Sequence, residues 1–143
     1  MMPREILSAS SVIPVIEIDD LSTATALAHA LVAGGIRTLE ITLRTPFGLK
    51  AINQIRRDVP QAIVGAGTVI NAEQLHAVAD AGAMFAISPG LHEQLARTSQ
   101  DVTIPLIPGI ATPSEVQYAL EYGLDTLKLF PAQAVGGVAL LKA

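Results

Sequence analysis

The sequence contains no cysteine, no tryptophan and no long apolar run, and each absence argues against a class of protein. Without cysteine the chain can form neither a disulfide framework nor a thiolate site, which agrees with a cytoplasmic location. No stretch of about 18 or more apolar residues is present, so a membrane span is not expected. The amino-terminal segment, MMPREILSAS, also lacks the long apolar core of a secretory signal.

Aromatic residues and positive charges are also scarce. The 143 residues include three phenylalanines, two tyrosines and nine lysines and arginines, and the formal net charge is -4. Nucleic-acid surfaces usually need a basic patch and often aromatic rings on which bases stack, so no nucleic-acid partner is expected. Hydrophobic residues make up 50% of the chain, which is enough for a folded domain with a substantial core.

Strand and helix patterns alternate along the whole chain. Short runs rich in β-branched residues are each followed by a helical pattern, with capping residues or glycines between them. Asn71 with Gln74, and Thr112 with Glu115, match the capping-box pattern at the start of two of these helices. A short leading helix is predicted over residues 2–9. The six predicted strands cover residues 11–18, 36–44, 62–68, 83–88, 102–107 and 124–131.

This alternation predicts the α/β class, with a parallel sheet covered by crossover helices. The sequence is compatible with two architectures of the sheet. One is an open doubly wound sheet, and the other is a (β/α)₈ TIM barrel with only about six of its eight strands present. A complete barrel usually needs more than about 200 residues. We therefore expect one domain over residues 1–143, either an open sheet or a C-terminally incomplete barrel.

Polar side chains occur where the predicted second and third strands end. In both architectures ligands bind at the carboxyl ends of the parallel strands. Glu40, Thr42 and Arg44 alternate along one face of the second strand, although a strand buried on both faces should be apolar. We expect this face to look into a polar, partly hydrated cavity. An alternative places Arg44 on the surface after the strand, and Thr68 at the end of the third strand is uninformative alone.

Lys128 lies between Leu127 and Leu129 in the predicted sixth strand and shares a strand face with Phe130. A lysine is rare inside a buried strand. Burial disfavours the charged form of an amine, and a neutral amine can attack a carbonyl carbon and form a Schiff base. Two other interpretations stay open: an edge-strand lysine that reaches solvent, and a structural ion pair with Glu40.

Metal chemistry and triad chemistry have little support in the sequence. His29, His76 and His92 all lie in predicted helices rather than at strand ends, and none forms a close ligand pair, so no metal site is predicted. No arrangement of serine, histidine and aspartate is apparent. Asp19 and Asp20 follow the first strand and are best explained as helix caps.

Five segments at strand ends are shared with one known family. They stand in order along the chain: EITLRTP at 40–46, VGAGTV at 64–69, FAISPG at 85–90, PLIPGI at 105–110, and KLFPA from 128 with a glycine pair at 136–137. The chain resembles the 2-keto-3-deoxy-6-phosphogluconate (KDPG) aldolases, a family that includes the 2-keto-4-hydroxyglutarate (KHG) aldolases. The resemblance implies a class I aldolase on a (β/α)₈ barrel, usually a homotrimer, that needs no metal or other cofactor.

The resemblance also implies roles for individual residues. Lys128 would be the Schiff-base lysine, and Glu40 would be the general acid/base. The other implied site residues bind substrate: Arg44 and Thr68 would hold the carboxylate of pyruvate, with Pro89 and Phe130 lining the pocket. The implied reaction cleaves KDPG to pyruvate and glyceraldehyde 3-phosphate in the Entner–Doudoroff pathway of carbohydrate metabolism. Cleavage of 4-hydroxy-2-oxoglutarate to pyruvate and glyoxylate is a related expectation.

The chain departs from the family at its carboxyl end. The family's seventh and eighth strands, which supply glycine-rich loops and a serine for the substrate phosphate, have no counterpart, so no phosphate-binding residue is predicted. We expect a truncated chain that is unstable as a monomer, because it exposes sheet edges and an apolar face. Two alternatives to an aldolase stay open. One is a sugar-phosphate isomerase or epimerase in which Lys128 acts electrostatically, and the other is an inactive fragment.

Overall fold

The computed structural model describes residues 1–143, with six strands and seven α-helices in alternation. None of the helices has the length and apolar character needed to cross a membrane. The strands are β1 (Val15–Ile16), β2 (Thr38–Thr42), β3 (Ile63–Gly67), β4 (Ala86–Ser88), β5 (Leu106–Ile110) and β6 (Lys128–Leu129). The helices are α1 (Pro3–Ser8), α2 (Ala24–Ala33), α3 (Gly48–Asp58), α4 (Ala72–Asp80), α5 (Glu93–Thr98), α6 (Pro113–Glu121) and α7 (Gly137–Lys142), with a 3₁₀ turn at Leu21–Thr23.

The strands form one parallel sheet in the order β1-β2-β3-β4-β5-β6, so each strand pairs with the next one along the chain. A doubly wound sheet reverses its strand order at a switch point, and no reversal occurs here. The structure therefore excludes the doubly wound alternative and confirms the predicted α/β class with six parallel strands. The sheet is curled, with an inner face and an outer face.

The two faces of the sheet pack against different partners because successive side chains of a strand point to opposite sides. On the outer face, Leu39 and Ile41 of β2 belong to a cluster of 20 buried residues that also includes Ile52 and Ile55 of α3. The inner face holds a smaller cluster of five: Ile6, Ile63, Phe85, Ile87 and Ile107.

Helix α1 covers the amino-terminal end of the sheet. Its Ile6 is fully buried in the inner cluster, and the Ile6 carbonyl accepts a hydrogen bond of 3.0 Å from Thr38 Oγ1 at the start of β2. The opposite end, where the strands finish, is thus the end at which polar side chains can gather.

Helix caps follow the sequence pattern closely. The predicted capping box of α6 is confirmed, because Glu115 Oε2 accepts from the Thr112 amide at 2.8 Å and Thr112 Oγ1 accepts from the Glu115 amide at 3.3 Å. In α4, Asn71 Oδ1 accepts from the Gln74 amide at 2.8 Å as predicted. Gln74 Oε1, however, accepts from the Ile70 amide at 2.9 Å rather than from the cap residue itself. Gln74 therefore fixes the loop that precedes α4.

Three strands differ most from the sequence prediction. The predicted strand at 102–107 lies later, at Leu106–Ile110, because Pro108 and Gly109 continue the strand instead of ending it. A Cβ at Gly109 would overlap the carbonyl group of Pro89, so this glycine lets β5 run beside the end of β4. In place of the predicted strands 11–18 and 124–131, the structure has β1 and β6 with two residues each, and each of them has one hydrogen-bonded neighbour in this chain.

Candidate active site

The curled sheet brings Lys128 of β6 against Glu40 of β2. Lys128 Nζ lies 3.6 Å from Glu40 Oε1, although three strands separate β2 from β6 in the sheet. The Glu40 side chain is 4% exposed and that of Lys128 is 28% exposed. The two residues that resemblance marks as catalytic therefore meet across the inner face, as an ion pair in a place with little access to water.

A cavity of about 290 Å³ contains this pair. The prediction of a polar cavity is wrong. Six of the eight residues that line the cavity are apolar: Leu7, Ile13, Val15, Ile87, Ile107 and Leu127. A larger cavity of about 420 Å³ lies between β5, α6 and α7, but no titratable side chain lines it. The chemistry of an amine and a carboxylate is thus confined to the smaller cavity.

Burial raises the pKa of Glu40 above its ordinary value, while the nearby Lys128 and, more weakly, Arg44 act in the opposite direction. A carboxyl group with a raised pKa can take up and release a proton closer to neutral pH, which suits a general acid/base. Gly67 of β3 makes room for it, because a Cβ at this position would overlap Glu40 Oε1. Gly67 is therefore needed for the position of the carboxylate.

Lys128 is an edge-strand lysine, as one interpretation held, but its side chain turns to the inner face. Both residues of β6 are half-buried in this chain. Lys128 Nζ lies 5.1 Å from the centre of the Phe130 ring, within the range of a cation–π contact. Phe130 itself is 36% exposed, so its ring covers one side of the amine while its other side meets solvent.

Arg44 lies at the rim of the site. Strand β2 ends at Thr42 rather than at the predicted Arg44, so Arg44 lies in the following turn and is exposed. Its Nη1 donates to Glu17 Oε1 at 2.7 Å. The surface interpretation of Arg44 is therefore the better description of its position. Glu17 was not among the predicted site residues, although it is the only charged residue in the predicted strand 11–18.

Thr68 and Pro89 follow the ends of β3 and β4. Thr68 has a φ of 60°, a left-handed conformation that β-branched residues rarely adopt. Neither residue lines the cavity that holds Glu40 and Lys128. Pro89 lines a separate cavity of about 240 Å³ together with Ile70 and His92. Of the predicted residues, the structure brings Glu40, Lys128 and Phe130 together and distributes Arg44, Thr68 and Pro89 over the surrounding strand ends.

The three histidines lie away from the ion pair. His29 and His76 are in α2 and α4, as predicted, whereas His92 precedes α5 as its N-cap rather than lying within the helix. No group of three or more histidine, aspartate or glutamate side chains is close enough together to hold a metal ion. Thr42 Oγ1 and Ser88 Oγ, at the ends of β2 and β4, are buried without a hydrogen-bond partner in the protein.

Comparisons with known proteins identify the family of the chain. A family model described as KDPG and KHG aldolase matches residues 4–143. The chain is 54% identical to the KHG/KDPG aldolase of Escherichia coli K12 and 55% identical to the 2-dehydro-3-deoxy-phosphogluconate aldolase of Dickeya dadantii, each over 98% of this chain and 66% of the relative. The chain thus spans slightly less than two thirds of the length of these curated relatives.

A solved structure of this family has the same fold over nearly the whole chain. The KDPG aldolase of Legionella pneumophila, with pyruvate captured at low pH as a covalent carbinolamine intermediate, superimposes with a TM-score of 0.97 at 48% identity. The superposition covers 99% of this chain and 69% of that one.

Proposed function

The chain belongs to the KDPG and KHG aldolase family, and on that premise we propose that it contains the catalytic centre of a class I aldolase. The proposed reaction cleaves KDPG to pyruvate and glyceraldehyde 3-phosphate through a Schiff base on Lys128. The observation that supports it best is the contact between Lys128 Nζ and Glu40 Oε1 at 3.6 Å in a largely apolar cavity. The carbinolamine held by the Legionella relative is the species that forms when an amine adds to the ketone of pyruvate.

The first half of the proposed mechanism forms the imine. The neutral amine of Lys128 adds to the C2 carbonyl carbon of the keto acid and gives a carbinolamine, which loses water to become an iminium. Glu40 is close enough to the amine to exchange protons during these steps, directly or through one water. The carbonyl carbon would lie among largely apolar side chains.

The second half breaks the carbon–carbon bond. Glu40 takes the proton of the C4 hydroxyl, the C3–C4 bond breaks, and the iminium accepts the electron pair as an enamine while the aldehyde leaves. Glu40 then helps return a proton to C3, and hydrolysis of the iminium frees pyruvate and the Lys128 amine. The raised pKa of Glu40 supports both transfers, because the group must accept a proton and later give one back.

Substrate binding is proposed for residues at the surrounding strand ends. Arg44 would hold the carboxylate next to C2 by a bidentate pair, with Thr68 as a further hydrogen-bond donor. One nitrogen of Arg44 is bonded to Glu17, which leaves the other edge of the guanidinium for a second carboxylate. Pro89 and Phe130 would line the pocket.

KHG is a second proposed substrate. It shares with KDPG the 2-keto acid and the C4 hydroxyl, which are the groups on which Lys128 and Glu40 would act. The Escherichia coli relative is named for both substrates. The products of this reaction would be pyruvate and glyoxylate.

For the whole protein we propose a (β/α)₈ barrel, of which this chain contains six strands in sequential order. The family resemblance also supports a homotrimer, a cytoplasmic location and a place in the Entner–Doudoroff pathway. Exposed apolar side chains such as Val138 and Leu141 on α7 are compatible with contacts to further protein surface.

Reductive trapping tests the proposal. A chain long enough to be active is incubated with pyruvate and borohydride, digested and mapped by mass spectrometry, with a Lys128→Met variant as the control. We expect the adduct on Lys128 alone, since the other two lysines, Lys50 and Lys142, lie in α3 and α7. An adduct on Lys50 contradicts the assignment of the Schiff base to Lys128. The absence of an adduct on any lysine contradicts a Schiff-base mechanism and favours the isomerase, epimerase or inactive-fragment alternatives.

A further inference from the structure

His92 connects two neighbouring loops at the carboxyl end of the sheet. Its Nδ1 accepts a hydrogen bond from the Leu95 amide at 3.4 Å, which caps α5, and its Nε2 lies 3.0 Å from the Ile70 carbonyl oxygen. Because Nδ1 accepts, the ring hydrogen is on Nε2, and Nε2 donates to Ile70. One side chain therefore begins α5 and also binds the loop between β3 and α4.

That loop contains Thr68 in its left-handed conformation. A β-branched residue stays at such a φ only if its surroundings hold it there. The Val69 amide donates to the Ile87 carbonyl at 3.1 Å, and the Ile70 amide donates to Gln74 Oε1 at 2.9 Å. With the His92 contact, both backbone polar groups of Ile70 are bound by side chains.

The same histidine is close in sequence to Pro89, which follows β4. Ile70, Pro89 and His92 line one cavity of about 240 Å³, and this cavity is the place where the two loops meet. The bond from His92 to Ile70 therefore links the loop that contains Thr68 to the loop that contains Pro89, beside the backbone bond from Val69 to Ile87.

We propose that His92 is a positioning residue for the keto-acid site, which holds Thr68 in place through the Ile70 backbone. This role rests on the proposed function, in which Thr68 binds the substrate carboxylate. His92 does not line the cavity that holds Glu40 and Lys128, so we expect it to act on the affinity for the keto acid and to leave the reaction at Lys128 itself unchanged.

The substitution His92→Asn separates the two bonds of this residue. Asparagine is a good N-cap acceptor and keeps the bond to Leu95, but its side chain is too short to span from the cap to Ile70 as well. The matched control is His76→Asn, the same chemical change at an exposed position within α4.

The first measurement is hydrogen exchange of the backbone amides at 69–71, followed by mass spectrometry. In His92→Asn we expect these amides to exchange about two- to tenfold faster, the change that follows from the loss of one hydrogen bond. Exchange in α5 and the thermal midpoint should stay close to those of the unsubstituted chain, and His76→Asn should change none of these values.

The second measurement is the pyruvate concentration that gives half-maximal borohydride trapping at Lys128. We expect it to rise about two- to tenfold in His92→Asn, with the maximal trapping rate unchanged. A lost structural contact that loosened the whole site would lower the maximal rate as well. His76→Asn should give the values of the unsubstituted chain.

The outcomes separate this inference from the function on which it rests. Unchanged exchange at 69–71, or an unchanged half-saturating pyruvate concentration, overturns the role of His92 while trapping in the unsubstituted chain keeps the Schiff base. A fall in the maximal trapping rate equal to the loss of affinity also overturns it. Absence of trapping in the unsubstituted chain refutes the proposed function, and the positioning role with it.

Discussion

Two pairs of carboxylate and cation lie at the carboxyl end of the sheet, one inside and one on the rim. The inner pair, Glu40 and Lys128, is separated by 3.6 Å, with the carboxylate side chain 4% exposed. The rim pair, Glu17 and Arg44, is separated by only 2.7 Å, but its side chains are 45% and 49% exposed. Water and ions screen the rim pair strongly, whereas the inner pair acts through a medium of lower dielectric constant. Burial, rather than distance, therefore indicates which pair has chemical consequences.

Burial of the inner pair also lowers the stability of the fold. Taking a carboxylate out of water costs several kcal/mol, and one ion pair often does not recover that amount. An apolar pair of similar size would pack against Ile87 and Ile107 without this cost. A charged pair in this cavity is consistent with a site kept for its reactivity, and four predictions follow from the contrast with the rim.

The largest difference between the two pairs is expected in the rate of proton transfer. Glu40→Gln keeps the shape of the side chain but removes the base, so we expect pyruvate to form the adduct on Lys128 while proton transfer at C3 slows by about 10²–10⁴-fold. The measurement is deuterium exchange of the pyruvate methyl protons by NMR, beside reductive trapping. Glu17→Gln is the matched control at the rim. If Glu40→Gln exchanged methyl protons at nearly the full rate, Glu40 would be structural.

An effect of intermediate size is expected when the rate of methyl exchange is measured against pH. Because burial raises the pKa of Glu40, its carboxylate form appears only above the ordinary glutamate value of about 4.3. The rate of methyl exchange should fall about tenfold per pH unit below that raised pKa, and Glu40→Gln should lack this acidic limb. An identical limb in both proteins would assign the titration to another group.

The raised pKa of Glu40 also predicts the direction in which the free energy of unfolding changes with pH. The folded state binds the Glu40 proton more tightly than the unfolded state does, so this group contributes most at low pH. Its contribution is lost as pH rises from the ordinary value through the raised pKa. Urea unfolding at several pH values should show this loss in the unsubstituted chain and not in Glu40→Gln.

The smallest effect is expected at the rim. Glu17→Gln removes an exposed ion pair, so we expect the free energy of unfolding to change by less than about 1 kcal/mol. The urea midpoint measures this, and added salt should shrink the difference further. A loss of more than about 2 kcal/mol would mean that the rim pair is structural and that the contrast with the inner pair is wrong.

Much of the architecture could be predicted because it follows from local patterns. The alternation of strand and helix, the parallel pairing and the cap of α6 depend on residues close together in sequence, and all are confirmed. The displaced β5 could not be predicted, because proline and glycine usually end strands, and only the approach of Pro89 explains Gly109 in that place. No sequence pattern predicts the hydrogen bond from His92 to Ile70, because the two residues lie 22 positions apart.

The sequence by itself determined which side chains share a strand face, since neighbours in a strand must point to opposite sides. That placed Glu40 with Thr42, and Lys128 with Phe130. Only the tertiary structure decided that the two faces meet. In a flat sheet, strands four positions apart lie about 19 Å from each other, at about 4.8 Å per step. The curl of the sheet brings Lys128 Nζ to within 3.6 Å of Glu40 Oε1, and strand twist and packing along the whole chain produce that curl.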